Sequence, residues 1–325
     1  MLENINKDTS IAIKTINDVV RCITLSSLLE ISGWPKPGNI HRTRDYSNTK
    51  FEHFLAAIAS IQPNFYKFCQ RIKNYSKNNQ NDFSYVNLGS LFKEATEKMI
   101  EWQHGGNVIL GHILVLTPLA ATAVICLILN KLCLYDFKSI LKKVIEDTTV
   151  QDTIFLYESI RISNAGGLGK VERYDINDEN AFNEIKDDQI TLKKIFEYSQ
   201  NIDSISKEYS TGFKIILDEG LPYYIDIFNK TNNINIATVN TFLKILSKYP
   251  DTLIIKKSGL ESAKLISKKA KKIINIGGMI TEKGKKEIEN LDNELYKENG
   301  KFNPGTTADL IAGIIFCSLI FGLKI

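Results

Sequence analysis

His104-Gly105-Gly106-Asn107-Val108-Ile109-Leu110-Gly111-His112-Ile113-Leu114-Val115-Leu116 opens the stretch on which the fold of this chain turns, and the apolar run continues through Pro118 to Leu129. Twenty-two residues, Val108 to Leu129, carry no formal charge. A helix of that length can span a bilayer. A helix that is apolar all round is equally what the centre of a large helical protein contains. Gly111, His112, Thr117, Pro118 and Thr122 interrupt the run and favour the buried reading, with the helix broken or bent at Pro118. The Gly-Gly-Asn lead-in has two readings. Glycines ahead of a helix let backbone approach an anionic ligand, and Asn107 can simply cap the helix.

Working outward, 325 residues suffice for one large core or two domains. Apolar content of 43% with 24% charged residues describes a globular chain rather than a disordered one. A net charge of +4 is too mild to demand nucleic acid, yet it suits a phosphorylated ligand. Cys22, Cys69, Cys126, Cys133 and Cys317 sit among apolar residues with no metal-ligand spacing. They read as reduced core thiols of a cytoplasmic protein. Residues 1–10 lack the basic and apolar regions of a signal peptide.

Helical spacing recurs along the chain and strand alternation is scarce, so the reading is all-α: a single large multi-helix domain, residues 1–325, around the buried central helix. Residues 11–31 read as a helix whose stripe runs from Ile13 to Ile31, with Glu30 on its edge as an ordinary edge residue or a partly buried functional carboxylate. Ser32-Gly33-Trp34-Pro35-Lys36-Pro37-Gly38-Asn39-Ile40-His41-Arg42 is a stiff loop whose basic groups can hold phosphate. Residues 74–87 read as a surface loop. Asn164 to Lys170 is glycine-rich but lacks a P-loop ending. Asp251 is placed to cap a helix that Gly277-Gly278 ends, and Thr281 to cap the next. In Asn303-Pro304-Gly305-Thr306-Thr307-Ala308-Asp309, Thr306 and Asp309 have capping-box spacing. The alternative for Asp309 is a carboxylate that holds magnesium or takes a proton.

Four blocks together resemble the triphosphoribosyl-dephospho-CoA synthase family: Leu28 to Asn39, Gly105 to Leu119, Pro250 to Gly259 and Asn303 to Leu310. The Gly166 to Asp175 segment resembles its archaeal-type branch. The central motif departs from the pattern, because the bacterial enzymes carry Asn-Thr-His-Lys-Gly where this chain has Asn107-Val108-Ile109-Leu110-Gly111. The resemblance implies an all-α transferase that joins the triphosphoribosyl group of ATP to 3′-dephospho-CoA and releases adenine. It implies no nucleic-acid or membrane partner.

On that reading Asp309 and Asp251 are the candidates for proton transfer or Mg²⁺ binding, and Glu30 is the reserve base. Lys36, Arg42 and Lys256 are assigned to phosphate. Gly38, Asn39, Gly106, Asn107, Asn303, Gly305 and Thr306 would complete the substrate contacts, and the four blocks should converge on one pocket. Two other classes stay open. One is a different nucleotide-dependent transferase or hydrolase on the same scaffold. The other is a non-enzymatic membrane or interaction protein built around the apolar helices.

Overall fold

A computed structural model describes residues 9–76, 82–165 and 171–325. Among them the α-helices are, in chain order, α1 (Ile16–Ser32), α2 (Phe51–Ser76), α3 (Leu88–Glu101), α4 (Leu110–Leu129), α5 (Leu134–Glu146), α6 (Val150–Ile162) and α7 (Ala181–Asp187). Then come α8 (Leu192–Ser199), α9 (Ser204–Thr211), α10 (Leu221–Thr231), α11 (Ile234–Lys248), α12 (Thr252–Asn275), α13 (Glu282–Tyr296) and α14 (Gly305–Ile320). No sheet forms among the described residues, where the extended pairing amounts to two isolated bridges. The all-α expectation holds.

Helix α4 is apolar on every side because helices surround it: α1, α2, α3, α5 and α14 all pack against it. By length and composition it could cross a membrane, yet 83% of its apolar window is buried inside the protein. The second all-apolar helix, α14, lies against α4 and also meets α1, α10 and α11. One hydrophobic cluster runs through both.

Pro118 does not break α4, which runs on through it from Leu110 to Leu129, so of the expected break or bend the break is absent. Proline has no N–H, so the carbonyl of Leu114, four residues back, loses its helical partner. The buried Tyr209 hydroxyl donates to that oxygen at 2.7 Å and replaces the missing bond. The break falls instead in α12, where Gly259 adopts φ 83° and separates Thr252–Ser258 from the rest of the helix.

Other boundaries moved for local reasons. Helix α1 begins at Ile16 because Thr15 and Asp18 form a capping box, and Ile11 instead bonds its backbone N–H to Leu132. Helix α2 continues to Ser76, and Phe83 and Val86 are buried, so the stretch read as a surface loop is partly core. Residues 77–81 of that stretch lie outside the described residues, as do 166–170 of the glycine-rich segment. Four of the cysteines are buried thiols. Cys133 is the exception: its sulfur accepts from the Asp136 backbone and starts α5.

Candidate functional site

Residues 33–44 fold back on the end of α1. The Gly33 N–H closes the helix onto Leu29 and Glu30, and the Trp34–Pro35 bond is cis. Gly38 has φ +74° and sits against the Phe302 carbonyl and Leu295, where a Cβ would collide. Its N–H donates to Asp292 of α13 at 3.0 Å, and its carbonyl accepts from Tyr46 at 2.7 Å. Asp292 is also 2.9 Å from Arg44 and 3.3 Å from the ring of His41. The loop is thus pinned at its middle.

Pinning turns Lys36 inward. Lys36 is fully buried and its ammonium pairs with Glu30, in the last turn of α1. The edge-residue reading of Glu30 is therefore wrong: its side chain is 1% exposed. Its other oxygen lies 3.4 Å from His112 Nε2 on α4. Burial pushes the Glu30 carboxyl up, but Lys36 and His112 outweigh it and hold the group below its usual value. Lys36, assigned from the sequence to phosphate, is thus paired inside the protein with Glu30.

The ring of His112 also lies 3.7 Å from Asp309 Oδ1, and its Nδ1 has no hydrogen-bond partner among the described residues. Asp309 comes from the first turns of α14. It caps nothing, so the capping-box reading fails, and its carboxylate accepts no hydrogen bond from the described residues. Its carboxyl faces Gly111 so closely that a Cβ there would collide with it. Burial drives the Asp309 carboxyl well above the carboxylate range, and Glu30, Asp251 and Asp203 add to the effect against Lys36.

The helix-start role that the capping reading would have given Asp309 falls to Asp251. Its Oδ1 accepts from Leu253 and Ile254 at 2.9 and 3.2 Å and caps α12. Its Oδ2 accepts from the Thr307 backbone and hydroxyl at 2.6 and 2.7 Å and caps α14 as well. The predicted Asp251 cap holds, with a second helix added. Burial raises this carboxyl too, opposed by those donors.

The four blocks meet, with one qualification in the second. Asn39 donates to Asn303 at 2.9 Å, Thr252 to Thr306 at 3.1 Å, and Gly305 faces Leu253. The second block joins through Gly111 and His112. Its Gly105 packs on His53 and Thr49, the Gly106 carbonyl accepts from Gln103, and Asn107 accepts from the Leu110 backbone although Ile109, not Asn107, holds the N-cap position. Lys256 reaches the cluster's edge through Asp203, at 2.8 Å, and it holds that carboxyl below its usual value against burial. Arg42 does not join: it bonds Asn235 at 3.0 Å on an exposed face. The altered motif positions Ile109 and Leu110 are buried in the core, which explains why they are apolar.

Sequence reasoning passed over His112, Asp203 and Gly111. His112 had a signal, as the one imidazole in an uncharged run. Gly111 had one as the motif glycine that this chain keeps, whereas Asp203 had none, since only packing beside Lys256 and Asp309 gives it significance.

The family model described as ATP:dephospho-CoA triphosphoribosyl transferase matches residues 16–324. The chain belongs to this family. A provisionally named 2-(5″-triphosphoribosyl)-3′-dephosphocoenzyme-A synthase of Salmonella gallinarum is 29% identical over 111 residues, 34% of this chain and 36% of its own. The synthase of that name from Klebsiella pneumoniae is 25% identical over the same shares. The match thus spans about a third of the length of these curated relatives. A crystal structure from Archaeoglobus fulgidus, a provisionally named triphosphoribosyl-dephospho-CoA synthase, superposes with a TM-score of 0.58 at 25% identity, covering 83% of this chain and all of its own.

For the magnesium expected with this family, the two assigned carboxylates differ. Both oxygens of Asp251 are taken by N–H and O–H donors, so it does not fit as a ligand. Asp309 has free oxygens. Among the described residues no three acidic, His or Cys side chains are spaced as a metal cage. One carboxylate suits an ion that arrives on phosphate oxygens, as Mg²⁺ commonly does.

Proposed function

We propose that this protein transfers the triphosphoribosyl group of ATP to the 2′-hydroxyl of 3′-dephospho-CoA, with Asp309 as the proton acceptor. The observation that carries this reading is the Asp309 carboxylate itself, unbonded and among like charges where the family's sequence blocks meet. A carboxyl in that setting is a stronger base than an ordinary aspartate.

In the proposed step the acceptor 2′-oxygen attacks C1′ of the ATP ribose and the C1′–N9 bond breaks. The hydroxyl proton passes to Asp309, and the bond electrons leave on adenine, which takes up a proton from solvent. Glu30 and Asp309 bring negative charge close to a carbon that gains positive character, which lowers the barrier electrostatically. His112 bridges these two carboxylates and fixes their separation. Lys36 acts through the charge it places beside Glu30 and Asp309 rather than by touching phosphate. Lys256, a quarter exposed at the cluster's edge, is the cation for the triphosphate. Mg²⁺ bound to that triphosphate would supply further charge neutralisation, with Asp309 as its protein contact in the donor complex. The reading places the enzyme in the cytoplasm.

The test is incubation with Mg-ATP and dephospho-CoA, followed by mass spectrometry of the products. Free adenine and a triphosphoribosylated dephospho-CoA are expected. ATP consumption that yields ADP or AMP without adenine sinks the reading.

A further inference from the structure

Lys256, the cation assigned to the triphosphate, already holds an anion of the protein's own. Its ammonium lies 2.8 Å from Asp203 Oδ2 and makes no second ion pair among the described residues. The two side chains are 25% and 19% exposed, so a dissolved anion can reach the pair. Asp203 is also close enough to Asp309 for its charge to act on that carboxyl, which puts the pair beside the reacting groups.

The two ends of the pair are held unequally. Asp203 is the N-cap of α9: its Oδ1 accepts from the Ser206 backbone at 3.0 Å and from the Ser206 hydroxyl at 3.2 Å. Its Oδ2 accepts from Lys256 alone among the described residues. Removal of the ammonium therefore leaves the carboxylate in place on its cap, with Oδ2 open to water. Lys256 rides on Thr252–Ser258, the short piece of α12 ahead of the Gly259 break. That piece is fixed at both ends. Asp251 caps its start, and Ser258 donates to the Lys301 carbonyl at 3.3 Å just before the break. Gly259 meets nothing where a Cβ would stand, so its φ of +83° rather than crowding calls for glycine. A fixed backbone thus carries a lysine whose stem is flexible and whose ammonium is a point charge without a fork geometry. Such a group changes partners by rotating its own side chain, with no movement of either helix. A single carboxylate is a weak competitor for it, because a triphosphate brings several charges and many acceptor oxygens.

We propose that Asp203 is the built-in counter-ion of the triphosphate site: it occupies Lys256 until a triphosphate arrives, yields the lysine to it, and stays behind on its α9 cap. Asp203 is then a positioning residue that sets the affinity for ATP through Lys256. The proposal rests on the assignment of Lys256 to the triphosphate in the reaction above. The exchange weakens binding, since the Lys256–Asp203 bond must break and the carboxylate left behind repels phosphate. Removing that charge should tighten binding, the opposite of what loss of a merely structural residue does.

Asp203→Asn and Asp203→Ser both keep a side chain that caps helices well, so α9 should survive, as checked by circular dichroism. Titration calorimetry with inorganic triphosphate should show about fivefold tighter binding in both variants, the factor equivalent to about 1 kcal/mol, the upper end for an exposed ion pair. Lys256→Met should weaken the same binding about tenfold, as for loss of a charged hydrogen bond. In turnover, the KM for Mg-ATP should fall in Asp203→Asn while that for dephospho-CoA stays level. Unchanged or weaker triphosphate binding in the folded Asp203 variants overturns the proposal, as does undiminished binding in Lys256→Met. Equal tightening toward adenosine, which carries no phosphate, also overturns it. If Asp203→Asn binds triphosphate more tightly but the parent releases no adenine from ATP, the reaction falls and the counter-ion stands. If adenine is released and triphosphate affinity ignores both Asp203 substitutions, the counter-ion falls and the reaction stands.

Discussion

Asp251 and Asp309 are two aspartates at the same end of the same helix pair, and their surroundings are opposite. Asp251 accepts four hydrogen bonds, two from each of two segments, and joins the start of α12 to that of α14. Asp309 accepts none from the described residues and lies among carboxylates that raise its proton affinity. A carboxylate whose lone pairs are filled by protein donors is fixed in place and in charge. One left with free lone pairs in a desolvated setting can trade protons. Hydrogen-bond saturation separates the structural aspartate from the chemical one, a distinction that their sequence neighbourhoods conceal.

That contrast can be broken by substitution, and the largest effect is expected at Asp251. Asp251→Ala removes two helix caps, at about 1 kcal/mol each. It also strands buried donors, at about 1–3 kcal/mol. A loss of about 3–5 kcal/mol in denaturant unfolding is expected by the same principles. A loss below about 1 kcal/mol, the value of a single cap, would remove Asp251 from the structural role.

Asp309→Asn should reverse the pattern. Adenine release should fall at least about a hundredfold, as for loss of a general base, while the unfolding midpoint stays level or rises. Unchanged turnover would leave the free carboxylate without a function. Gly111→Ala sharpens the point without touching a titratable group. The added Cβ must displace the Asp309 carboxyl, so turnover should drop clearly while stability falls by about 1–3 kcal/mol, the cost of overpacking.

The smallest effect is in the pH dependence of stability. The folded Asp309 carboxyl binds its proton more tightly than the unfolded one, whose reference value is 3.8. Its contribution is fully present below that value and is lost as pH rises toward the folded value. Asp309→Asn lacks this loss. The variant should therefore gain on the parent as pH rises from about 4 toward neutrality, read as the difference between two denaturation curves. A constant difference across that range would contradict the raised proton affinity.

Much of the fold was legible because its signals are local. Uniform apolarity marked α4 as a helix with neighbours on every side, and Asp251 and Thr281 showed as caps from their place ahead of helical stripes. The unbroken passage through Pro118 was not legible because the group that replaces the lost bond, the Tyr209 hydroxyl, lies 95 residues beyond the Leu114 carbonyl it meets. The spacing of Asp309 from Thr306 left a capping role open in the sequence, and only the structure shows that Asp251, more than fifty residues earlier, holds that helix start.

The sequence by itself determined the helical class, the two apolar helices at the centre and the set of blocks from which a site could be made. Those follow from periodicity, composition and capping chemistry, each readable within a few turns of chain. Only the tertiary structure decided that Lys36 is buried on Glu30, that His112 reaches both Glu30 and Asp309, and that Arg42 looks away from them. Charge placement in a core depends on which side chains desolvate one another across helices distant in sequence, and no local pattern encodes that.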